Sequence, residues 1–346
     1  MQQVPRDNRR VRMSAFSIGW WVALVVAALV ILLPVRTRSL GAHPHPVSSY
    51  NEAIALIERQ RTADSATVAP GGEPILLVHG NKTPRVVVLL HGFTNAPRQF
   101  LPLALALYEQ GDNVYVPRMP HHAERGQNIM ALARITAEEL RDCSDQTVDV
   151  ATGLGDSVIV VGLSMGGTMA AWIAVFRPEV RRVVIIAPLI ALSRVPGVLQ
   201  NPAMNLAVRF PNVSVAGAPD STRPDRDLGV STRAIGEILR LGAAVREAPE
   251  RDAPRAAVAL LLNAHDRTIA NGPVRDLVGR WKSAGSSVTV VELPDSLQLP
   301  HDVIDATNPF GKTCVVYPIV ERLISGFTPA TVNAETPRAP ARRLCP

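Results

Sequence analysis

A serine hydroxyl is a weak nucleophile until a base takes its proton and fixed donors meet the charge that then develops. One serine in this chain is set for that chemistry. The run Val160-Val161-Gly162-Leu163-Ser164-Met165-Gly166-Gly167 places Ser164 in a Gly-x-Ser-x-Gly sequence, between β-branched apolar residues and the helix-forming stretch Met169–Ala174. A sharp strand-to-helix turn there lifts the hydroxyl above a sheet at the positive end of a helix. Gly162 and Gly166 leave room for the close approach of neighbouring backbone. The base is expected beyond the last strand, and His301 in Leu299-Pro300-His301-Asp302 satisfies this. A histidine base needs a carboxylate to hold its tautomer, and in the chain order Ser, acid, His the candidate is Asp266, just after the apolar run Val258–Leu262. Asp295, Asp302 and Asp305 lie nearer to His301 in sequence and stay open as alternatives, read otherwise as loop or helix-cap positions. His265 reads as a loop histidine directed to the other side of its loop. Two amides are needed for the oxyanion, and the sequence offers those of Met165 and Phe93. In Leu90-His91-Gly92-Phe93-Thr94, His91 would brace the loop and Gly92 would mark the close approach of backbone to substrate.

These residues require a scaffold that brings strand ends to one edge. Short β-branched runs recur at Pro74–Val78, Val86–Leu90, Asn113–Val116, Ser157–Val161, Arg182–Ile186, Ala257–Leu262 and Ser287–Val291, separated by stretches of helical period. Strand, helix, strand in repetition predicts an α/β domain with a mostly parallel sheet covered on both faces, and near-continuous runs such as Val86–Leu90 are what strands buried on both sides look like. The stretch from Pro188 to Ala257 is too long for an ordinary connection and predicts an inserted cap over about 189–254, with an amphipathic helix at Thr232–Val245. His122–Leu154 is a second, mostly helical candidate insertion, and a final helix is expected to start near Cys314.

Between Met13 and Val35 no residue is charged, which predicts one transmembrane anchor over 14–35. Arg6, Arg9, Arg10 and Arg12 before it, against Arg36 and Arg38 after it, place a basic segment 1–13 in the cytoplasm and the catalytic domain on the outer side. The alternative is a signal peptide cleaved near Leu40-Gly41-Ala42, giving a secreted protein. Residues 36–50, with His43-Pro44-His45-Pro46, are expected to form a linker, 51–326 the folded domain, and the Pro-, Ala- and Arg-rich 327–346 a tail. The net charge of +6 is scattered rather than striped, and an aromatic fraction of 4% supplies no base-stacking platform, so a nucleic-acid role is excluded. Cys143, Cys314 and Cys345 are too few for a disulfide framework; an exported domain could form one pair, which the sequence does not select. No phosphate-binding loop, metal-ligand spacing or dinucleotide fingerprint occurs, so neither cofactor nor metal is implied.

From Val86 to Leu323 the chain resembles the carboxylesterase and monoacylglycerol lipase branch of the α/β-hydrolases. The likeness rests on His91-Gly92-Phe93-Thr94, Pro117-Arg118-Met119-Pro120-His121, Gly162–Gly167, Asp266-Arg267-Thr268-Ile269 and His301. It implies the α/β-hydrolase fold, with Ser164 as nucleophile, Asp266 as acid, His301 as base, and Phe93 and Met165 as oxyanion donors. Its substrate would be a small or lipid carboxylic ester. Two departures stand out: Pro300 precedes His301 where the family commonly has glycine, and His121-His122-Ala123 fills a turn that is commonly Gly-His-Gly. A serine peptidase or thioesterase with the same three residues, or a binding protein on this scaffold without turnover, remains the alternative.

Overall fold

The computed structural model describes residues 15–126, 129–217, 223, 225–227, 229–308 and 310–326; the expected segments 1–13 and 327–346, with Cys345, lie outside them. Chain order begins with α1 (Ala15–Leu32), α2 (Tyr50–Asp64), β1 (Ile75–Leu77), β2 (Thr83–Leu90), α3 (Leu101–Glu109) and β3 (Asn113–Val116). It continues through α4 (Ile129–Leu132), α5 (Ala137–Leu154), β4 (Gly155–Leu163), α6 (Met165–Phe176), β5 (Arg182–Ile186), α7 (Gln200–Arg209), β6 (Ser214–Ala216) and β7 (Gly229–Ser231). Last come α8 (Thr232–Glu247), β8 (Ala257–Asn263), α9 (Asn271–Ser283), β9 (Val288–Leu293) and α10 (Thr313–Ser325).

Seven strands form one sheet in the order β1-β3-β2-β4-β5-β8-β9. Only the β1–β3 pair is antiparallel, with Ile75 opposite Val116. All seven predicted runs are strands of this sheet. Val86 to Leu90 are fully buried, as are Val160, Val161, Val183 and Val184, so the central strands are covered on both faces. A parallel sheet brings the C-terminal ends of β2, β4 and β8 to one edge, where loops can converge on a site.

The long insert after β5 differs from a detachable cap. Its amphipathic helix α8 buries Ile238, Leu241 and Val245 in the main core and passes so close to the strand-following loop that Gly242 lies against Ile190 and Thr168. Of the insert, α7 also reaches the main core through Met204, whereas the short β6–β7 pair adds no residue to it. The stretch 122–154, expected as a second insertion, carries the ordinary crossover from β3 to β4: this is α5, opened by a capping box in which Thr136 and Glu139 satisfy each other's backbone N–H groups.

Two expectations at the N-terminus are corrected. The apolar segment forms α1 with 18 residues, about 27 Å at 1.5 Å per residue against a hydrocarbon core of ~30 Å. Among the described residues no helix is long and apolar enough to cross a membrane. The chain leaves α1 against α7, where Asn205 Nδ2 donates to the Ile31 carbonyl at 2.7 Å and Arg209 to that of Leu33 at 2.6 Å.

The expected linker at 36–50 is a docked strap. Trp172 Nε1 donates to the Leu40 carbonyl at 2.7 Å, and the amides of His43 and His45 donate to Asp145 and Asp149 at 2.7 and 3.0 Å. Those carboxylates are held by Arg177, a fully buried guanidinium 2.9 Å from Asp145 and 2.5 Å from Asp149. Leu40 and Val47 join the main core beneath α5 and α6. Cys143 and Cys314 are free thiols.

Candidate active site

The turn from β4 to α6 has no room for a side chain at either of its flanking glycines. Ser164 adopts φ 58° and ψ −114°, a conformation of positive φ that L residues occupy only when the surroundings impose it. Its amide is tied to the Ile186 carbonyl at 3.0 Å. A Cβ on Gly162 would lie 2.0 Å from the Gly166 carbonyl oxygen, and one on Gly166 would lie 2.1 Å from that of Leu90. Both are backbone contacts that cannot give way, which is why the motif needs glycine there.

His301 and Asp266 meet this serine in one line. His301 Nε2 lies 2.8 Å from Ser164 Oγ, and His301 Nδ1 lies 2.6 Å from Asp266 Oδ2. Asp266 sits just past the end of β8; its other oxygen accepts the amides of Thr268 and Ile269 at 2.8 and 3.1 Å. Burial alone would raise this carboxyl's pKa. The hydrogen bond and charge of His301, with the two amides, outweigh burial and hold it below the ordinary carboxylate value. Pro300 in place of glycine leaves the histidine loop well placed, because Asn263 Nδ2 at the end of β8 donates to the carbonyls of both Leu299 and Pro300, at 2.9 and 3.0 Å.

The alternative acids are engaged elsewhere. Asp295 meets His265 at 2.9 Å, so His265 does turn to the other side of its loop. Asp302 accepts from Asn95 and Gln99 at 3.0 and 2.8 Å, and Asp305 pairs with Arg223 at 3.1 Å.

Among the described residues, neither the Phe93 amide nor the Met165 amide has an acceptor. Both are thus available to a ligand. The loop carrying Phe93 is braced from below: His91 Nδ1 lies 3.0 Å from the Gly92 carbonyl, and its Nε2 accepts the Met119 amide at 3.3 Å. Burial and the neighbouring His122 push His91 well below the ordinary histidine pKa, which keeps the ring neutral for both bonds. Gly92 N donates to Gln99 Oε1 at 2.8 Å, and His122 Nε2 lies 2.7 Å from the Phe93 carbonyl. Gln99 and Asn95 carried no signal in sequence; His122 was visible only as the middle of the His121-His122-Ala123 turn, and Asp302 only as a possible acid. In the turn that departs from Gly-His-Gly, His121 and Ala123 both have positive φ, 64° and 54°. The glycine conformation is thus kept without glycine, and Ala123 is held there because its amide donates to Asp227 and its carbonyl accepts from the Ala69 amide, both at 2.8 Å.

Ser164 and His301 open into a cavity of about 260 Å³ walled by Phe93, Leu163, Leu189, Leu192 and Ile235. A larger cavity of about 410 Å³ between α2 and α5 holds Cys143, whose thiol is pushed up to about 11 by burial, and no nucleophile–base pair.

The profile of the alpha/beta hydrolase family matches residues 87–305, from β2 to the loop beyond His301. The chain belongs to that family. A thermostable monoacylglycerol lipase of Bacillus sp. (strain H-257) is 31% identical over 137 residues, 38% of this chain and 49% of that lipase, so the likeness spans about half of the curated relative. Two solved structures share the fold. One of the metagenome-derived lipolytic enzymes LipS and LipT matches with a TM-score of 0.53 at 20% identity, covering 75% of this α/β-hydrolase and all of the other chain. Paleococcus ferrophilus monoacylglycerol lipase matches with a TM-score of 0.53 at 20% identity, over 73% of this chain and 98% of that one.

Proposed function

We propose that this α/β-hydrolase is a serine ester hydrolase of the carboxylesterase or lipase type, working through an acyl-enzyme on Ser164. The observation that carries the reading is the hydrogen-bonded line Ser164–His301–Asp266 beside two unsatisfied amides. Ser164 Oγ attacks the ester carbonyl carbon while its proton passes to His301 Nε2. The oxyanion forms against the amides of Phe93 and Met165. As it collapses, the bond to the alcohol oxygen breaks and the departing alcohol takes the proton from His301. Water then repeats the sequence on the acyl-enzyme, giving its proton to His301 and releasing the acid and Ser164. Asp266, kept ionised by its partners, stabilises the imidazolium at each stage.

The substrate class is carboxylic esters with an apolar acyl part, monoacylglycerol-like esters among them. The apolar cavity walls support this, and two of the relatives above are named as monoacylglycerol lipases. Each methylene buried against such walls gains roughly 0.8 kcal/mol, so kcat/KM should climb with acyl length until the cavity is full. Export of the domain from the cytoplasm belongs to the same proposal, supported by four arginines ahead of the apolar segment. A reporter enzyme fused after Arg38 that is active only inside the cytoplasm would exclude it.

The deciding experiment is fluorophosphonate labelling with an ester series from acetate to palmitate, for the wild type and Ser164→Ala. Labelling and hydrolysis should both vanish in the variant while its melting temperature stays put. Hydrolysis that persists in Ser164→Ala, or peptide cleavage that outpaces ester cleavage, would overturn the reading.

A further inference from the structure

Several buried or half-buried arginines in this protein are tied to carboxylates. Arg118 meets Asp64 at 2.5 Å, Arg177 meets Asp145 and Asp149, and Arg240 meets Glu138 and Glu237 at 2.5 and 3.1 Å. Arg226 is different. It lines the cavity that holds Ser164 and His301, its Nε is buried, and among the described residues its side chain has neither a hydrogen bond nor an ion pair. A charged group whose Nε is removed from water without a partner carries a desolvation cost, and that cost is offset if an anion enters the cavity with the substrate.

The backbone around Arg226 is braced on both sides. Arg223 joins Asp225 at 2.9 Å and reaches across to Asp305 and Thr307, at 3.1 and 3.0 Å, on the loop that follows His301. The Arg226 amide then donates to the Arg223 carbonyl at 3.1 Å. On the other side Asp227 accepts the Ala123 amide at 2.8 Å. Arg226 is therefore presented to the cavity from a segment fixed to the loop that carries the base, an arrangement that would lower the cost of ordering it when substrate binds. The carboxylate of the cavity lining, Asp302, is already engaged: one oxygen accepts from Asn95 and Gln99, and the other from the amides of Ile304 and Asp305. That leaves the planar donor fork of Arg226 for a carboxylate or phosphate, the groups it fits best.

We infer that Arg226 is a specificity residue of this site and binds a carboxylate or phosphate carried by the ester substrate. The inference rests on the esterase reading above and narrows its substrate to esters bearing an anionic group. Two matched pairs place the anion on either side of the scissile bond: mono(4-nitrophenyl) glutarate against 4-nitrophenyl butyrate, and 1-octanoylglycerol 3-phosphate against 1-octanoylglycerol. For at least one pair the ratio of kcat/KM, anionic over neutral, should fall roughly 10- to 100-fold in Arg226→Gln, the range expected for lost hydrogen bonds to a charged group. Arg226→Lys should recover part of it, and the wild-type ratio should shrink with added salt. A structural role alone would lower both members of each pair alike and leave both ratios unchanged, and that result overturns the inference. If Arg226→Gln does not fold, inhibition of the wild type decides: the monoanion glutaramate should inhibit butyrate-ester hydrolysis more strongly than neutral butyramide does, and equal inhibition overturns the inference. The two readings fail separately, since an enzyme that does not label at Ser164 refutes the esterase reading, whereas one that turns over neutral esters with an unmoved ratio refutes only the role of Arg226.

Discussion

Asparagine at 266 should be worse than its shape suggests, because the surrounding backbone dictates which way its amide faces. Asp266 Oδ1 accepts from Thr268 N and Ile269 N at 2.8 and 3.1 Å, so in Asp266→Asn the amide oxygen must stay at that position. The amide nitrogen is then forced toward His301 Nδ1, now 2.6 Å from Asp266 Oδ2. An NH₂ donor there requires Nδ1 to be an acceptor, which moves the imidazole proton to Nε2. That nitrogen would donate to Ser164 Oγ instead of taking its proton. The same replacement in a serine protease triad costs about 10⁴-fold in kcat, equivalent to roughly 5.5 kcal/mol of transition-state stabilisation. We expect a loss of that order in Asp266→Asn for a 4-nitrophenyl ester, with fluorophosphonate labelling slowed in parallel. The melting temperature should change little, since both backbone bonds survive. Asp295→Asn is the matched control: Asp295 is an exposed residue paired with His265, and its loss should leave kcat within about 2-fold, as exposed pairs contribute little. Asp266→Asn within 10-fold of wild type, or Asp295→Asn as damaging as Asp266→Asn, would refute the assignment of the acid.

Arg177→Met should destabilise the fold by ~3–5 kcal/mol in urea unfolding, because Asp145 and Asp149 would remain buried without their cation; a loss below 1 kcal/mol would mean that the strap amides and water compensate. Ala123→Gly should leave stability within about 0.5 kcal/mol, since about 1 kcal/mol of relief at a φ of 54° is offset by the ~0.8 kcal/mol lost with a methyl buried against Val68 and Ala96; a loss above about 1.5 kcal/mol would mean that the φ carries no strain. His122 is pushed from 6.5 down to about 4 by burial. A histidine with a depressed folded-state pKa stabilises fully above pH 6.5, and that stability is lost as pH falls toward 4, because the unfolded chain takes up the proton first. The loss attributable to it is up to ~3 kcal/mol, so unfolding free energies from pH 7 to 4 should fall less steeply in His122→Gln, and parallel curves would contradict this.

What could be read from the sequence follows the range of the interactions involved. The sheet was legible because strands buried on both faces must be nearly continuous apolar runs, as at Val86–Leu90, and no partner need be known to see that. Ser164 was legible for a related reason: its strained turn is built within six residues, and the two glycines it requires are part of the same motif. The acid was harder, since several carboxylates, Asp295, Asp302 and Asp305 among them, lie nearer to His301 in sequence, and what singles out Asp266 is its place at the end of β8. The strap at 36–50 was misread because its docking uses backbone groups. Any residue offers an amide or a carbonyl, and the side chains that receive them, Asp145, Asp149 and Trp172, lie about a hundred residues further on. The bracing of the oxyanion loop by Gln99 and Asp302 was hidden in the same way, by a separation of 203 residues. His121 and Ala123 show the opposite case: a local glycine rule is broken, and the backbone conformation survives because Asp227 and Ala69 hold it from outside. Asp227 stands next to Arg226, so the contact that keeps this turn in a glycine-like shape also fixes the segment that presents a guanidinium, unpaired among the described residues, to the cavity of Ser164. A change in the turn should therefore be felt in substrate selection before it is felt in the chemistry of the triad.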